Sequence, residues 1–452
     1  MEKFIKSCII DGVQLNRDEI MPTIYVTDVT NRDGVQTSRL GLAKLQKTII
    51  NLMLNNMGIT RSEFGFPTTR HELNYLNGNL ELVDRGVFDK TILSGWIRAL
   101  PADVMLSFQN VPRLKHVNLS QSTSKQMIEG KYQGKKTPED IIKSTCEAVE
   151  TALSCGAITV GVNAEDASRT DMEFLLKFGQ EVKKAGAHRL RYCDTLGYDD
   201  PKTAYDRINT LAKELKIPIE THFHNDLGMG VACSVMGAKG AIDGGVDTYI
   251  NTAINGMGER AGNADLVSCI LAIMKSSGFS KKYKLDENID LSKCWKLAKY
   301  TSKSFGVPIP INQPAVGDNA FAHESGIHAD GALKDRRNYE LYDFEELGRG
   351  EPEIVETGRQ ITVGEYGGIK GFRNVYLNLE LEFKDEDEAR TILELARYAN
   401  VHTQQPLTAS ELRFIYYYPD VAAKIMTVTP YYEPKGELLK RLRTTASPIL
   451  VV

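Results

Sequence analysis

One short segment indicates both the architecture and the chemistry of this chain: Glu220-Thr221-His222-Phe223-His224-Asn225-Asp226. It follows a β-branched run, and in a β-strand every second side chain shares a face. Glu220, His222 and His224 are therefore expected to point to the same side. Two of the chain's eight histidines lie here, and two imidazoles with a carboxylate form a ligand set for a divalent metal ion.

Seven further segments are strand-like and alternate with helical patterns such as Leu40–Met57 and Thr137–Leu153. The eight predicted strands are Thr23–Val29, Arg61–Phe66, Lys90–Ser94, His116–Leu119, Ile158–Asn163, Arg189–Asp194, Pro218–Phe223 and Thr248–Asn251. This rhythm over about 250 residues predicts an α/β fold, a (β/α)8 TIM barrel. A doubly wound open sheet is the alternative, but no Gly-x-Gly-x-x-Gly turn follows the first strand.

Beyond the barrel the pattern changes. Helices are predicted at Leu291–Phe305 and Asp385–Tyr398, with an alternating, strand-like run at Val375–Phe383 between them. We therefore expect three parts. They are a catalytic TIM barrel over residues 1–284, a helical linker subdomain over 285–355, and a small C-terminal α/β subdomain over 356–452.

Composition limits the classes of function. The formal net charge of the 452 residues is -4, so no broad basic field favours nucleic acid as a partner. No apolar run approaches the roughly 20 residues that span a bilayer, and Met1–Asp11 has no signal-peptide core. Seven scattered cysteines without a Cys-x-x-Cys pair are typical of a reduced protein. We expect a cytoplasmic location, with no membrane partner.

The third metal ligand should come from the end of another strand, because the active sites of such barrels lie at the carboxyl ends of the strands. The first strand runs into Asp28-Val29-Thr30-Asn31-Arg32-Asp33-Gly34-Val35-Gln36, in which Asp33 offers a hard oxygen and Arg32 a fixed cation. The sequence thus predicts a divalent metal held by Asp33, His222 and His224. Mn²⁺ is the expected ion, with Mg²⁺ or Co²⁺ as alternatives.

These motifs, together with others in the same order, resemble the metal-dependent acyl-CoA condensing and cleaving TIM barrels. That superfamily holds the 2-isopropylmalate, homocitrate, citramalate and Re-citrate synthases and hydroxymethylglutaryl-CoA lyase. The resemblance covers roughly residues 20–385. It is carried by Arg32–Gln36, Glu63–Pro67, Asn163–Ala167, Cys193–Gly197, His222–Asp226, Asn255–Asn263 and His323–Gly331.

The resemblance implies roles for residues around the predicted metal. The ion and Arg32 would polarise the keto group of a 2-oxo acid, and Thr195 would bind its carboxylate. Glu63 and Glu220 would orient water or substrate, while Gln36 would lie within reach of either substrate. All five side chains belong to the motifs quoted above.

A second pair of residues, His328 and Tyr339, lies beyond the barrel. The resemblance implies that this pair serves deprotonation of the methyl group of acetyl-CoA, a task suited to an imidazole near neutral pH. In the synthases the pair reaches the active site of the neighbouring subunit. The resemblance therefore implies a homodimer with shared active sites.

The substrate is less strongly indicated than the reaction. Homocitrate synthases carry an arginine four residues before the strand-five glutamate, whereas this chain has Gly161 there, before Glu165. The His323-Glu324-Ser325-Gly326-Ile327-His328 block argues against a lyase. The segment after Glu386 is short for a regulatory domain that binds an amino acid.

The residues of the first motif and the chain length most resemble those of the Re-citrate synthase branch of this superfamily. Such enzymes supply citrate to the tricarboxylic acid cycle. The implied reaction is a Claisen condensation of acetyl-CoA with oxaloacetate to citrate and CoA, with Arg98 or Arg70 for the distal carboxylate. The alternatives are 2-isopropylmalate, citramalate or homocitrate synthesis from another 2-oxo acid. A retro-aldol lyase or a catalytically silent barrel stays open.

Overall fold

The computed structural model describes residues 21–352 and 359–428, and the backbone of an antiparallel strand pair, Ile9–Ile10 with Val13–Gln14. Eight parallel strands form the centre, each paired with the next in sequence. They are β1 (Thr23–Asp28), β2 (Arg61–Gly65), β3 (Ile92–Arg98), β4 (His116–Ser122), β5 (Thr159–Glu165), β6 (Arg189–Asp194), β7 (Ile219–Phe223) and β8 (Thr248–Thr252).

Pairing between β8 and β1 closes the barrel, with Thr248 opposite Ile24 and Thr252 opposite Asp28. A two-residue strand, β9 (Lys284–Leu285), adds to β1 in parallel. The predicted (β/α)8 barrel is therefore confirmed, and β6 has the bounds that the sequence predicts. The other strands differ from their predicted bounds by a few residues at their ends.

Helices surround the barrel and continue past it. Around the barrel lie α1 (Lys44–Met57), α2 (Leu73–Asp84), α3 (Pro101–Asn110), α4 (Lys125–Tyr132), α5 (Pro138–Ser154), α6 (Met172–Lys184), α7 (Pro201–Leu215), α8 (Gly230–Asp243) and α9 (Leu266–Lys275). After β9 come α10 (Cys294–Phe305), α11 (Gly326–Lys334), α12 (Ile369–Asn378), α13 (Glu386–Thr403), α14 (Ala409–Tyr417) and α15 (Pro419–Met426). Among the described helices, none is both long and apolar enough to cross a bilayer.

Local signals in the sequence fix where several of these helices begin and end. Thr137 caps α5, because its hydroxyl accepts from the backbone N–H of Asp140 while the Asp140 carboxylate accepts in return. Asp200 caps α7 by accepting from two backbone N–H groups. Helix α1 ends at Gly58, whose φ of 76° suits a residue without a Cβ.

The region after the barrel differs from the prediction. The prediction of a strand at Val375–Phe383 is wrong, because the first half of this segment belongs to helix α12. Phe372 and Tyr376, one helical turn apart, are both buried and pack on each other and on Phe383. Packing of this i, i+4 aromatic pair overrides the apparent alternation.

Residues 359–428 contain helices where a small α/β subdomain was predicted, and no strand occurs among these described residues. The rest of that predicted subdomain, residues 353–358 and 429–452, lies outside the described part of the chain. The predicted domain boundaries at 284/285 and 355/356 stay predictions.

The C-terminal helices pack against the first two helices of the barrel. The backbone N–H of Lys44 donates to Nε2 of His402 at 3.1 Å. The hydroxyl of Tyr300, on α10, donates to Glu411 at 2.9 Å. Side chains of α15 such as Ile425 are buried within the same apolar core as α1 and α2. The C-terminal helices thus share one core with the barrel.

Helices α7 and α8 pack so closely that one added methyl group at Gly240 should lower the stability of the protein. A Cβ at Gly240 would lie 2.5 Å from the carbonyl oxygen of Tyr205. Because backbone cannot yield as a flexible side chain does, Gly240→Ala should destabilise the protein by about 1–3 kcal/mol. A lower midpoint of urea unfolding, followed by circular dichroism, checks this.

Gly130 in α4 provides the matched control, since a Cβ there would meet nothing within 4 Å. Gly130→Ala should be neutral or stabilising by up to about 1 kcal/mol, as expected for alanine in an exposed helix. Equal midpoints for the two variants would contradict the close packing of α7 on α8.

Candidate metal centre

Three predicted ligands meet at the carboxyl ends of β1 and β7. Asp33 lies in the turn after β1, His222 lies in β7, and His224 follows it. Oδ2 of Asp33 is 3.7 Å from Nε2 of His222 and 3.9 Å from Nε2 of His224. The two Nε2 atoms are 3.3 Å apart, and all three residues are buried. One ligand atom from each lies within 4.8 Å of the others, so the three could hold a single metal ion.

The electrostatics of the triad suit a metal ion. Burial and the neighbouring His224 lower the pKa of His222 to about 3, so its imidazole is neutral near pH 7. Burial alone would raise the pKa of Asp33, but Arg32 and the two imidazoles lower it below its usual value. A neutral imidazole and an ionised carboxylate are the forms that bind metal.

Asn263 contacts the triad, although the sequence analysis predicted no role for it. Its Nδ2 donates to Oδ2 of Asp33 at 2.7 Å and to the carbonyl oxygen of Met257 at 3.0 Å. This fixes the carboxylate that the ion would use, as outer partners of metal ligands do. The motif Asn255–Asn263 was the signal that could have found it.

Arg32 is held between two carboxylates. Its Nε donates to Glu63 at 2.8 Å and its Nη1 donates to Asp33 at 3.0 Å. Because both bonds use the rigid guanidinium plane, the cation has a fixed position beside the triad. The structure thus brings Arg32 and Glu63 together with the metal centre.

Arg191 is a second residue that sequence reasoning missed. Its Nη2 donates to Glu63 at 2.5 Å and to Glu220 at 2.6 Å. Glu220 also accepts from Nε of Arg189 at 2.8 Å. These side chains lie in the barrel interior and form a chain of alternating charge that leads from Glu220 to Arg32.

The two predicted glutamates lie below the triad. Burial would raise the pKa of Glu63, but Arg191 and Arg32 hold it well below its usual range. Burial acts on Glu220 in the same direction and is likewise overcome by its two arginines. Both carboxylates are therefore ionised and occupied by arginine. A role for them in orienting water or substrate stays a prediction.

A cavity of about 210 Å³ opens beside the triad. It is lined by Arg32, Asp33, Gln36, Trp96, Ser120, Asn163, Glu165, Arg191, Cys193, His222 and His224. The predicted Gln36 is thus at the site. Burial raises the pKa of the Cys193 thiol, so a reactive thiolate is disfavoured there.

The two other predicted substrate-binding residues lie outside this lining. Thr195 follows β6 and is partly buried, and its hydroxyl accepts from the backbone N–H of Asp166 at 2.9 Å. The side chain of Arg98 is 65% exposed at the end of β3 and pairs with Asp103. Arg70, the other arginine considered, lies exposed in a short 3-10 turn after β2.

His328 and Tyr339 meet each other away from the triad of the same chain. Their rings stack with centroids 4.3 Å apart and an angle of 28° between the planes. Neither ring lines the cavity at the triad. Helix α11, which carries His328, buries none of its side chains, and its Ile327 and Leu333 are 76% and 89% exposed.

Two family models match the chain. The one described as HMGL-like covers residues 23–300, and the one described as homocitrate synthase post-HMGL domain-like covers residues 315–403. The citrate (Re)-synthase of Dehalococcoides mccartyi is 59% identical over 91% of this chain and 99% of its own length. The 2-isopropylmalate synthase 2 of Caldanaerobacter subterraneus is 36% identical over 89% and 96%, respectively.

Solved structures agree on the fold. The hydroxymethylglutaryl-CoA lyase of Pseudomonas aeruginosa covers 64% of this chain and 95% of its own, with a TM-score of 0.52 and 15% identity. At that identity the likeness shows the fold alone. The family match over most of the barrel, with the buried triad at its mouth, shows that the chain belongs to the HMGL-like family.

Proposed function

We propose that this chain is a metal-dependent citrate (Re)-synthase, an acyltransferase that joins acetyl-CoA to oxaloacetate and releases citrate and CoA. The observation that carries the proposal is the 59% identity to a citrate (Re)-synthase over nearly all of both chains. The buried Asp33, His222 and His224 at the barrel mouth support the metal dependence. Citrate for the tricarboxylic acid cycle would be the product.

The residues around the triad would each hold one part of the 2-oxo acid. A divalent ion, for which we propose Mn²⁺ with Mg²⁺ or Co²⁺ as substitutes, would supply Lewis-acid polarisation of the keto group. Arg32 would donate to the oxygen on which negative charge develops. Thr195 would bind the adjacent carboxylate, and Gln36 would contact substrate in the cavity. Glu63 and Glu220 would act on orientation through the arginines they hold.

His328 and Tyr339 would serve deprotonation of the acetyl-CoA methyl group from a second subunit. The exposed α11 supports this, since its apolar Ile327 and Leu333 lie in solvent in a single chain. The pair is already assembled by stacking within its own chain. A homodimer in which each α11 covers the other subunit's barrel mouth accounts for both features.

We also propose a reducing, cytoplasmic location. The cysteines in the described part of the chain are all free, which supports it.

The second candidate function is synthesis from another 2-oxo acid, favoured by the 36% identity to a 2-isopropylmalate synthase. Homocitrate synthesis is disfavoured, because Gly161 supplies no cation at that position, and a Cβ there would lie 2.0 Å from Oδ1 of Asn118.

The choice of 2-oxo acid can be tested directly. We expect CoA release from acetyl-CoA with oxaloacetate to exceed that with pyruvate, 2-oxoisovalerate or 2-oxoglutarate by at least about 100-fold in kcat/KM. A thiol-trapping assay with Mn²⁺ present measures this. Release with 2-oxoisovalerate and none with oxaloacetate would establish the second candidate instead.

The metal site predicts a loss on removing one ligand. Asp33→Ala should weaken Mn²⁺ binding by at least about 100-fold, measured by calorimetric titration. It should also lower kcat by at least about 100-fold, since Lewis-acid stabilisation is worth several kcal/mol. Asp206→Ala, at an exposed carboxylate on α7 that pairs with Lys202, is the control and should bind as the wild type does. Unchanged Mn²⁺ affinity in Asp33→Ala would remove Asp33 from the ligand set.

Sharing of active sites between subunits predicts complementation. Asp33→Ala and His328→Ala chains should each be inactive as homodimers. Their 1:1 co-refolded mixture should recover about a quarter of wild-type activity, because half of the dimers are mixed and each mixed dimer has one intact site. If the mixture remains inactive although purification through a different affinity tag on each variant recovers mixed dimers, His328 acts within its own subunit.

A further inference from the structure

The cavity at the metal triad shares a wall with a second one. This neighbouring cavity, of about 260 Å³, lies at the carboxyl ends of β3, β4 and β5, across the barrel mouth from β7 and β1. Trp96, Ser120 and Glu165 line both cavities. A 2-oxo acid bound in the cavity at the triad would therefore have Trp96, Ser120 and Glu165 among its neighbours.

Lys131 lines the second cavity and is bonded to Glu165 of the shared wall. It lies in the last turn of α4, and its Nζ donates to Oγ of Ser122 at 2.9 Å and to the two carboxylate oxygens of Glu165 at 2.7 and 2.6 Å. Ser122 and Glu165 are paired across β4 and β5. The ammonium group is thus tied to two strand ends rather than swinging freely from the helix.

The donors of Lys131 can be redistributed at little cost. An ammonium group has three N–H donors, and here two go to one carboxylate that a single donor could hold. One N–H can therefore turn to an incoming carboxylate while Lys131 keeps a bond to Glu165 and one to Ser122. Because the side chain is 47% exposed, the movement requires no repacking of buried groups.

The other cations near the two cavities are placed less well for this task. Arg32 and Arg191 are each shared between two buried carboxylates inside the barrel. Arg98 also lines the second cavity, but it donates through both Nε and Nη2 to Asp103. Lys136 lies over the ring of Tyr132 at 4.7 Å. Lys131 is bonded to Glu165, which lines both cavities, and unlike Arg32 and Arg191 it is not enclosed in the barrel interior.

We propose that Lys131 receives the distal carboxylate of the 2-oxo diacid and thereby selects a dicarboxylate over a monocarboxylate. This rests on the proposed function, which supplies oxaloacetate as the substrate. Lys131 then donates to the substrate's second carboxylate. Glu165 and Ser122 hold the ammonium group beside the wall that the two cavities share.

The test is Lys131→Met, which keeps the length of the side chain and removes its charge. We expect the KM for oxaloacetate and the Kd for oxaloacetate by calorimetry to rise about tenfold or more, with KM for acetyl-CoA and the affinity for Mn²⁺ within about twofold of wild type. The ratio of kcat/KM for pyruvate to that for oxaloacetate should rise by the same factor. Lys131→Arg should restore most of the oxaloacetate affinity.

Lys125→Met is the matched control, since Lys125 lies on the same helix with its side chain 83% exposed. It should behave as wild type. The inference is overturned if Lys131→Met lowers kcat equally for both 2-oxo acids without changing affinity, or if Arg98→Met produces the loss of oxaloacetate affinity instead. Wild-type enzyme that is inert toward oxaloacetate overturns the proposed function itself, and is recognised before any variant is made.

Discussion

A buried chain of alternating charges is the constraint on which the active end of this barrel depends. Asp33, Arg32, Glu63, Arg191 and Glu220 follow one another through direct hydrogen bonds in the barrel interior. Each charge loses its water on folding and regains a partner of opposite sign. Removing one member would leave each neighbour buried with one partner of opposite charge fewer, which destabilises the fold. The members are therefore interdependent.

This chain of charges separates the barrel interior into two depths with different tasks. The lower part, around Glu63 and Glu220, balances charge and holds side chains still, and Arg191 connects it to the cavity. The upper part carries the triad, Arg32 and the cavity. An arginine fixed from below by Glu63 needs no reorganisation when charge develops on a substrate oxygen, and such preorganised donors are effective in catalysis. The hydrogen bonds of the lower part thus fix the positions of the side chains in the upper part.

Sequence pattern predicted which strand faces carry chemistry, but not how deep each side chain lies. Alternation correctly placed Glu220 and His222 on one face of β7, yet only the structure shows that Glu220 is taken up by arginines while His222 reaches the triad. Arg191 had no recognisable motif, because its partners come from β2 and β7, far away in sequence. Val375–Phe383 failed for a similar reason, since an alternating run is ambiguous until tertiary packing selects the i, i+4 pair.

The same charged layer restricts where substrate selectivity can be built. Position 161 on β5 faces Asn118 and Arg189, and a Cβ there would lie 2.0 Å from Oδ1 of Asn118 and 3.0 Å from the Arg189 guanidinium. A substrate-binding arginine at this position would therefore compete with Asn118 and Arg189 for space. A cation for a distal carboxylate must therefore approach from above the layer, at the rim. Lys131, bonded to the ends of β4 and β5, occupies that place.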